Sequence, residues 1–149
     1  MRNDRVTEPR IELFSYPMAV RWGDMDALGH VNNTIYFRYF EQARIAWFES
    51  IDAADGLLGA QSGPLIVTAA CTFLQPITYP TNLRIGVFGT PPGRSSFQME
   101  YEIRDADKRE TIYTTGSSKV VWVDYTNNRS TPIPRNVRSL LPEQSKTQG

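Results

Sequence analysis

The order of elements along the chain predicts an α+β fold, with one antiparallel sheet of about five strands wrapped around a single long helix. Three observations carry this prediction. The run NTIYFRYFEQARIAWFES places Tyr36, Tyr39, Phe40, Ala43, Ala46 and Trp47 at the spacing of one helical face. After Gly63 and Pro64 come four β-branched and aromatic segments, LIVTAACTFLQ, LRIGVFG, SSFQMEYEIR and TIYTTGSSKVVWV. The connections TPPGR and RDADKRE are short and rich in Pro, Gly and Asp, which suits hairpins and leaves no room for crossover helices.

Each element has its own signal. Residues 11 to 22 are mixed apolar with Pro17 inside, so an extended segment there belongs at a sheet edge or an irregular start, with the first strand placed near 17–22. The stretch DMDALGHVNN, residues 24–33, then interrupts with polar and titratable chemistry. Asn32, Asn33 or Thr34 suits the cap of the following helix, and the glycines and acids from Asp52 to Gly59 suit its end. Ile35, Phe37, Ile45 and Phe48 widen the helix's apolar surface, so it is expected to be covered on most sides. In the third strand segment, Phe97, Met99, Tyr101 and Ile103 alternate with Gln98, Glu100, Glu102 and Arg104, giving one buried and one wet face. Beyond Tyr125, Pro132 and Pro134 precede a short helix, and PEQSKTQG reads as a disordered tail. The chain is thus expected to be one domain over 1–149, with a core from about 12 to 124 and an extension over 125–149. A sheet of this size has two edges to manage, and pairing one across a twofold axis predicts a homodimer or homotetramer.

Composition narrows the function. The chain has 149 residues, 40% hydrophobic and 21% charged, with 16 basic residues balancing 16 acidic ones. Zero net charge gives no global attraction to nucleic acid or to an anionic membrane, so neither is expected as a partner. The start MRNDRVTEPR lacks the apolar core of a signal peptide and no run is long enough for a membrane span, which makes a cytoplasmic protein the expectation. Cys71, the single cysteine, lies in an apolar run and reads as a small core residue. Scattered cations such as Arg94, Arg104 and Arg138 read as a solvated face, with a few of them open to gripping phosphate groups of a ligand.

The motifs of common enzyme classes are absent: no G-x-S-x-G, no phosphate-binding loop, no G-x-G-x-x-G, no H-E-x-x-H and no C-x-x-C. No cofactor is therefore expected. A metal held by Asp24, Asp26 and His30 has little support, because one histidine and two carboxylates on a short loop match no familiar ligand set. Two readings of the loop remain. Asp24 and Asp26 make turn bonds, Gly29 takes a positive φ and an asparagine caps the helix; or the same groups perform chemistry where a helix N-terminus stabilises negative charge.

The run RWGDMDALGHVNNTIYFRYFEQAR resembles the active-site segment of the hot-dog acyl-CoA thioesterases, specifically the 4-hydroxybenzoyl-CoA thioesterase-like group. It carries their Asp-x-x-x-His-Val-Asn-Asn pattern, then a tyrosine and a helix ending in Glu-x-Ala-Arg. The likeness is close over residues 20 to 44, and the strand pattern to about Asp124 fits the same fold. It implies that Asp26 is the catalytic carboxylate, that Asp24 supports it and that His30 has a polar role. Plant acyl-carrier-protein thioesterases carry an asparagine between acid and histidine where this chain has Leu28. The resemblance further implies a cavity between subunits, a carbonyl held by amides at the helix start, and CoA lying partly on the surface.

Thioester hydrolysis needs a nucleophile or an activated water, and donors for the oxyanion of the tetrahedral intermediate. Asp26 suits either role, as nucleophile through a mixed anhydride or as general base. The amides near Val31, Asn32, Asn33 and Thr34 are the expected donors, and His30 binds the carbonyl, orients water or protonates the thiolate. Asn33 and Tyr36 read as a loop clamp and a core ring beside the site, and Phe40, Trp47 and Phe73 as core residues that border an acyl pocket at most. Two rivals stand beside this reading. Hot-dog enoyl-CoA hydratases use an Asp-x-Asn-Pro-x-His setting, whereas Asp26 and His30 have neither Asn nor Pro between them. A non-catalytic acyl-binding protein has no use for a carboxylate in an otherwise apolar approach.

Overall fold

The computed structural model describes residues 9–51 and 60–143. The polar start, the segment expected to end the helix and most of the expected tail lie outside the described residues. Five long strands and a short sixth form one antiparallel sheet: β1 (Ile11–Ala19), β2 (Ser62–Phe73), β3 (Asn82–Gly89), β4 (Ser96–Asp105), β5 (Ile112–Asp124) and β6 (Arg129–Ser130). The order across the sheet is β1-β3-β4-β5-β2, with β6 paired to the end of β5. Strands β3, β4 and β5 follow one another through the two short hairpins, as their turn chemistry predicts. β1 is an edge, which accommodates Pro17 opposite Arg84, but it spans 11–19 and not 17–22. Pairing along β3 from Ile11 to Ala19 outweighs the weak alternation of that stretch, and Trp22–Asp24 forms a 3₁₀ turn instead of strand.

The long helix α1 (Ile35–Ser50) packs on one face of the sheet. It buries Tyr36, Tyr39, Phe40, Ala43, Trp47 and Phe48, so Phe48 replaces the expected Ala46 in the apolar stripe. The Phe40 ring stacks on Tyr101 at 4.7 Å between centroids, and Phe48 meets Trp122 edge-on at 6.1 Å. Gly116, in register with Tyr101, makes this approach possible, because a Cβ there would lie 2.5 Å from the Phe40 ring. The helix is not covered on most sides. Phe37, Arg38, Glu41 and Gln42 stay exposed, since the sheet of one chain offers a single face to a cylinder.

On β4 the expected alternation holds for Phe97, Met99, Tyr101 and Ile103, all buried. Glu102 departs from it: Arg10 and Arg104 enclose it at 2.6 and 2.7 Å, and it is 7% exposed. Burial works to raise the Glu102 carboxyl, and the bonds from Arg10 and Arg104 outweigh it and hold the group below its ordinary value. The core also continues past residue 124. Ile133, Val137 on the one-turn helix α2 (Arg135–Arg138) and Leu141 are all buried, and Arg138 donates to the carbonyls of Gly93 and Arg94, tying this segment to the β3–β4 hairpin. Among the described residues no helix is long and apolar enough to cross a membrane.

Candidate active site

The loop between β1 and α1 is built by its own backbone chemistry. Met25 and Val31 form an isolated antiparallel bridge, the Asp26 N–H donates to the His30 carbonyl at 2.8 Å, and the Gly29 N–H donates to the Asp26 carbonyl at 3.1 Å. Reversing the chain in so few residues requires a left-handed position, and Gly29 supplies it with φ of +80°. The loop is then locked from both sides, by Val31 N–H on the Ile77 carbonyl at 2.9 Å and Asn32 N–H on the Asp24 carbonyl at 2.9 Å. Thr34 is the helix N-cap and its side chain makes no capping bond; just before it Asn32 closes an Asx turn, its Oδ1 accepting from the Thr34 N–H at 3.0 Å and from its hydroxyl at 2.9 Å.

This scaffold gives the two acids different surroundings. One Asp24 oxygen, Oδ2, accepts from the Tyr39 hydroxyl at 2.6 Å and from the Arg21 N–H at 3.0 Å, which fastens the loop to the helix. Burial, then the Asp24 carboxylate, push the Tyr39 hydroxyl well above the ordinary phenol range. Asp26 is half-buried, and its Oδ1 accepts from the Leu28 N–H at 2.9 Å and the His30 N–H at 3.4 Å. Its Oδ2 has no hydrogen bond among the described residues. The exposed His30 side chain likewise has none.

Asp26, His30 and Asn33 line a cavity of about 310 Å³ together with Tyr36, Phe73 and Pro76. The buried Tyr36 ring meets Phe73 edge-on at 4.9 Å, and burial pushes its hydroxyl upward. The structure therefore brings Asp26, His30, Val31, Asn33 and Tyr36 to one cavity, while Asp24 and Asn32 stand behind it in the loop's framework. Phe40 and Trp47 are core, and Phe73 alone of the three rings considered reaches the cavity. Of the amides between Val31 and Thr34, three already have acceptors: Ile77 O, Asp24 O and Asn32 Oδ1. Among the described residues only the Asn33 N–H of this group lacks one.

Cys71 is partly buried against the core, with its thiol pushed up to about 11 by burial, so it stands as a thiol at neutral pH. Among the described residues no three His, Cys, Asp or Glu side chains converge to hold a metal ion. The arginines Arg104 and Arg138 are engaged within the fold, on Glu102 and the Arg109 carbonyl and on the 93–94 turn respectively. A second cavity bordered by Asp26, lined by Trp22, Met25 and Tyr79 among others, had no signature in the sequence. Trp22 and Tyr79 are far apart along the chain and are brought to one cavity by a fold in which Val31 bonds to Ile77 and Val20 to Thr81.

The family model of the thioesterase-like superfamily matches residues 20–141, which includes the loop, the helix, the sheet and the C-terminal segment. The chain belongs to the thioesterase-like superfamily. It is 39% identical to the PA2801 protein of Pseudomonas aeruginosa, provisionally described as a thioesterase, with a TM-score of 0.82 over 87% of this chain and 98% of that one. The 1,4-dihydroxy-2-naphthoyl-CoA thioesterase of Synechocystis shares the fold, with a TM-score of 0.77 at 19% identity over 85% of this chain and 93% of that one. A curated relative, the uncharacterized protein YsmA of Bacillus subtilis, is 30% identical over 59% of this chain and 58% of its own length. As a member of this superfamily the chain has the hot-dog fold expected from its sequence, and the family's chemistry is thioester hydrolysis.

Proposed function

We propose that the protein is an acyl-CoA thioesterase, hydrolysing the thioester to a free acid and CoA. One observation carries the reading: a carboxylate, Asp26, fixed through one oxygen by loop amides, with its other oxygen unbonded beside an open cavity and a helix N-terminus. In this reading Oδ2 attacks the carbonyl carbon or takes a proton from the attacking water, and the C–S bond breaks as the intermediate collapses. The Asn33 N–H and the positive end of α1 receive the oxyanion, and the other amides of the loop serve to hold it in shape. His30 protonates the leaving thiolate or orients water from the cavity rim. Asp24, Asn32 and Tyr36 position these groups.

A second copy of the chain completes the cavity. Its Phe73–Leu74 wall ends at the edge strand β2, where Leu65, Val67, Phe73 and Leu74 are about half exposed, and an apolar edge of this length favours pairing.

The test is thiol release from a series of acyl-CoAs by wild type and Asp26→Asn. Asparagine keeps the Oδ1 acceptor that the Leu28 N–H uses, so the loop persists while nucleophile and base are lost. Turnover is expected to fall on the order of a hundredfold or more with unchanged thermal stability. Near-normal thiol release by the variant overturns the role of Asp26, and water addition to an enoyl-CoA without thiol release would make the protein a hydratase.

A further inference from the structure

Asp26 is part of the wall of two cavities that otherwise share no lining residue. A thioester carbonyl placed against Asp26 has two arms, acyl and pantetheine, and they leave the carbonyl carbon in different directions. The wall of the first cavity is part apolar, with Val31, Phe73, Leu74 and Pro76, but it also has the hydrogen-bonding side chains of His30, Asn33 and Gln75. The second, of about 560 Å³, is walled by Trp22, Met25, Ala27 and Tyr79 and contains no charged side chain except Asp26. The arms differ in the same way. Pantetheine has two amides and a hydroxyl that lose hydrogen bonds unless the protein replaces them, and a hydrocarbon acyl group has nothing to replace.

Building on the thioesterase reading, we infer that the acyl group lies across Trp22 and Tyr79 while the pantetheine arm follows Asn33 and Gln75, so that Trp22 and Tyr79 select an uncharged acyl group. Trp22 is 78% exposed and Tyr79 47%, so both rings offer apolar surface for a bound acyl group to cover. The Asp26 carboxylate repels a second carboxylate in that cavity, which disfavours dicarboxylic acyl thioesters such as succinyl.

Three acyl groups, acetyl, phenylacetyl and succinyl, each presented as the CoA thioester and as the short N-acetylcysteamine thioester, test this with wild type, Trp22→Ala and Tyr79→Ala. The Trp22 ring stands largely in solvent, so its variant is expected to melt with wild type. For phenylacetyl thioesters kcat/KM falls about tenfold in both variants, equally for the long and short leaving thiol, and for acetyl it hardly changes. A loss confined to CoA thioesters would place the rings against the coenzyme and overturn the assignment. So would an equal loss for acetyl, or a lower sedimentation mass of Trp22→Ala, which would make the ring a subunit contact. Fluorescence supplies a readout that needs no turnover, because Trp47 and Trp122 are 2% and 1% exposed and iodide reaches only Trp22. In Asp26→Asn, phenylacetyl-CoA is expected to shield Trp22 from iodide where free CoA does not, and equal shielding by both sinks the inference. If no thioester is hydrolysed the thioesterase reading fails by itself, and the shielding result still decides the acyl seat.

Discussion

Asp24 and Asp26 are separated by one residue, yet their carboxylates meet different partners. Asp24 is tied to Tyr39 on the helix and to Arg21 at the start of the 3₁₀ turn, whereas one Asp26 oxygen has no hydrogen bond among the described residues. Tyr39→Phe removes a 2.6 Å bond to an ionised acceptor and leaves Asp24 half-satisfied, so it is expected to cost about 1–2 kcal/mol in denaturant unfolding. Its effect on thiol release should be no more than a few-fold, because the ring still packs. His30→Ala is expected to lose about tenfold in turnover, less than Asp26→Asn, since an exposed imidazole shares its task with solvent. A gain or no change in kcat would leave His30 a loop residue. The shape of the loop was legible in sequence to the extent that it is local: the Asx bonds of Asp26 and Asn32 and the positive φ of Gly29 follow from neighbours a few residues away. Which amide is left without an acceptor was not legible. The acceptor of Val31 is Ile77, and only the folded chain brings that carbonyl there.

At the level of elements, helix α1 and the run β3–β4–β5 were legible because each has a periodic apolar pattern and a turn to end it. The start of β1 was not, since an edge strand with a proline is defined by its partner β3 more than by its own alternation. The one-turn helix α2 was foreseen, but not that Val137 and Leu141 join the core, because two apolar residues in a proline-rich segment have no period. How closely helix and sheet approach depends on Gly116. Gly116→Ala puts a methyl group 2.5 Å from Phe40 and is expected to cost about 1–3 kcal/mol by overpacking, with Phe40→Leu in the same chain recovering part of it. The outer face of the sheet has its own dependence, through Glu102. Its folded-state value lies below the ordinary 4.5, so its contribution is complete above that pH and is lost as pH falls through the folded value. Glu102→Gln should therefore melt below wild type at pH 7, by about 1 kcal/mol given guanidinium partners that are over a third exposed, and the gap should close as pH falls through the folded value. A gap between the two that persists at low pH would mean that packing, not ionisation, holds the cluster.

For the whole molecule the decisive feature is the edge strand β2. Its ladder to β5 leaves the other side of this twelve-residue strand without a strand partner among the described residues, and Leu65, Val67, Phe73 and Leu74 expose apolar surface at or beside it. The opposite edge, β1, is shorter and contains Pro17 and Glu12, features that discourage pairing. The two edges are thus unequal, and a twofold axis beside β2 would cover the apolar one, extend the sheet and close the Phe73 side of the Asp26 cavity at once. Val67→Lys tests this, because at a twofold edge each substitution places two charges near the same axis. The wild-type chain is expected to sediment as a dimer or a multiple of it, and Val67→Lys as a monomer at micromolar concentration. If the cavity is shared, thiol release by the variant falls together with the dimer fraction and recovers as concentration is raised. A monomeric variant with full activity would show that one chain holds the whole site, and a wild-type monomer would show that β2 is tolerated as an open edge.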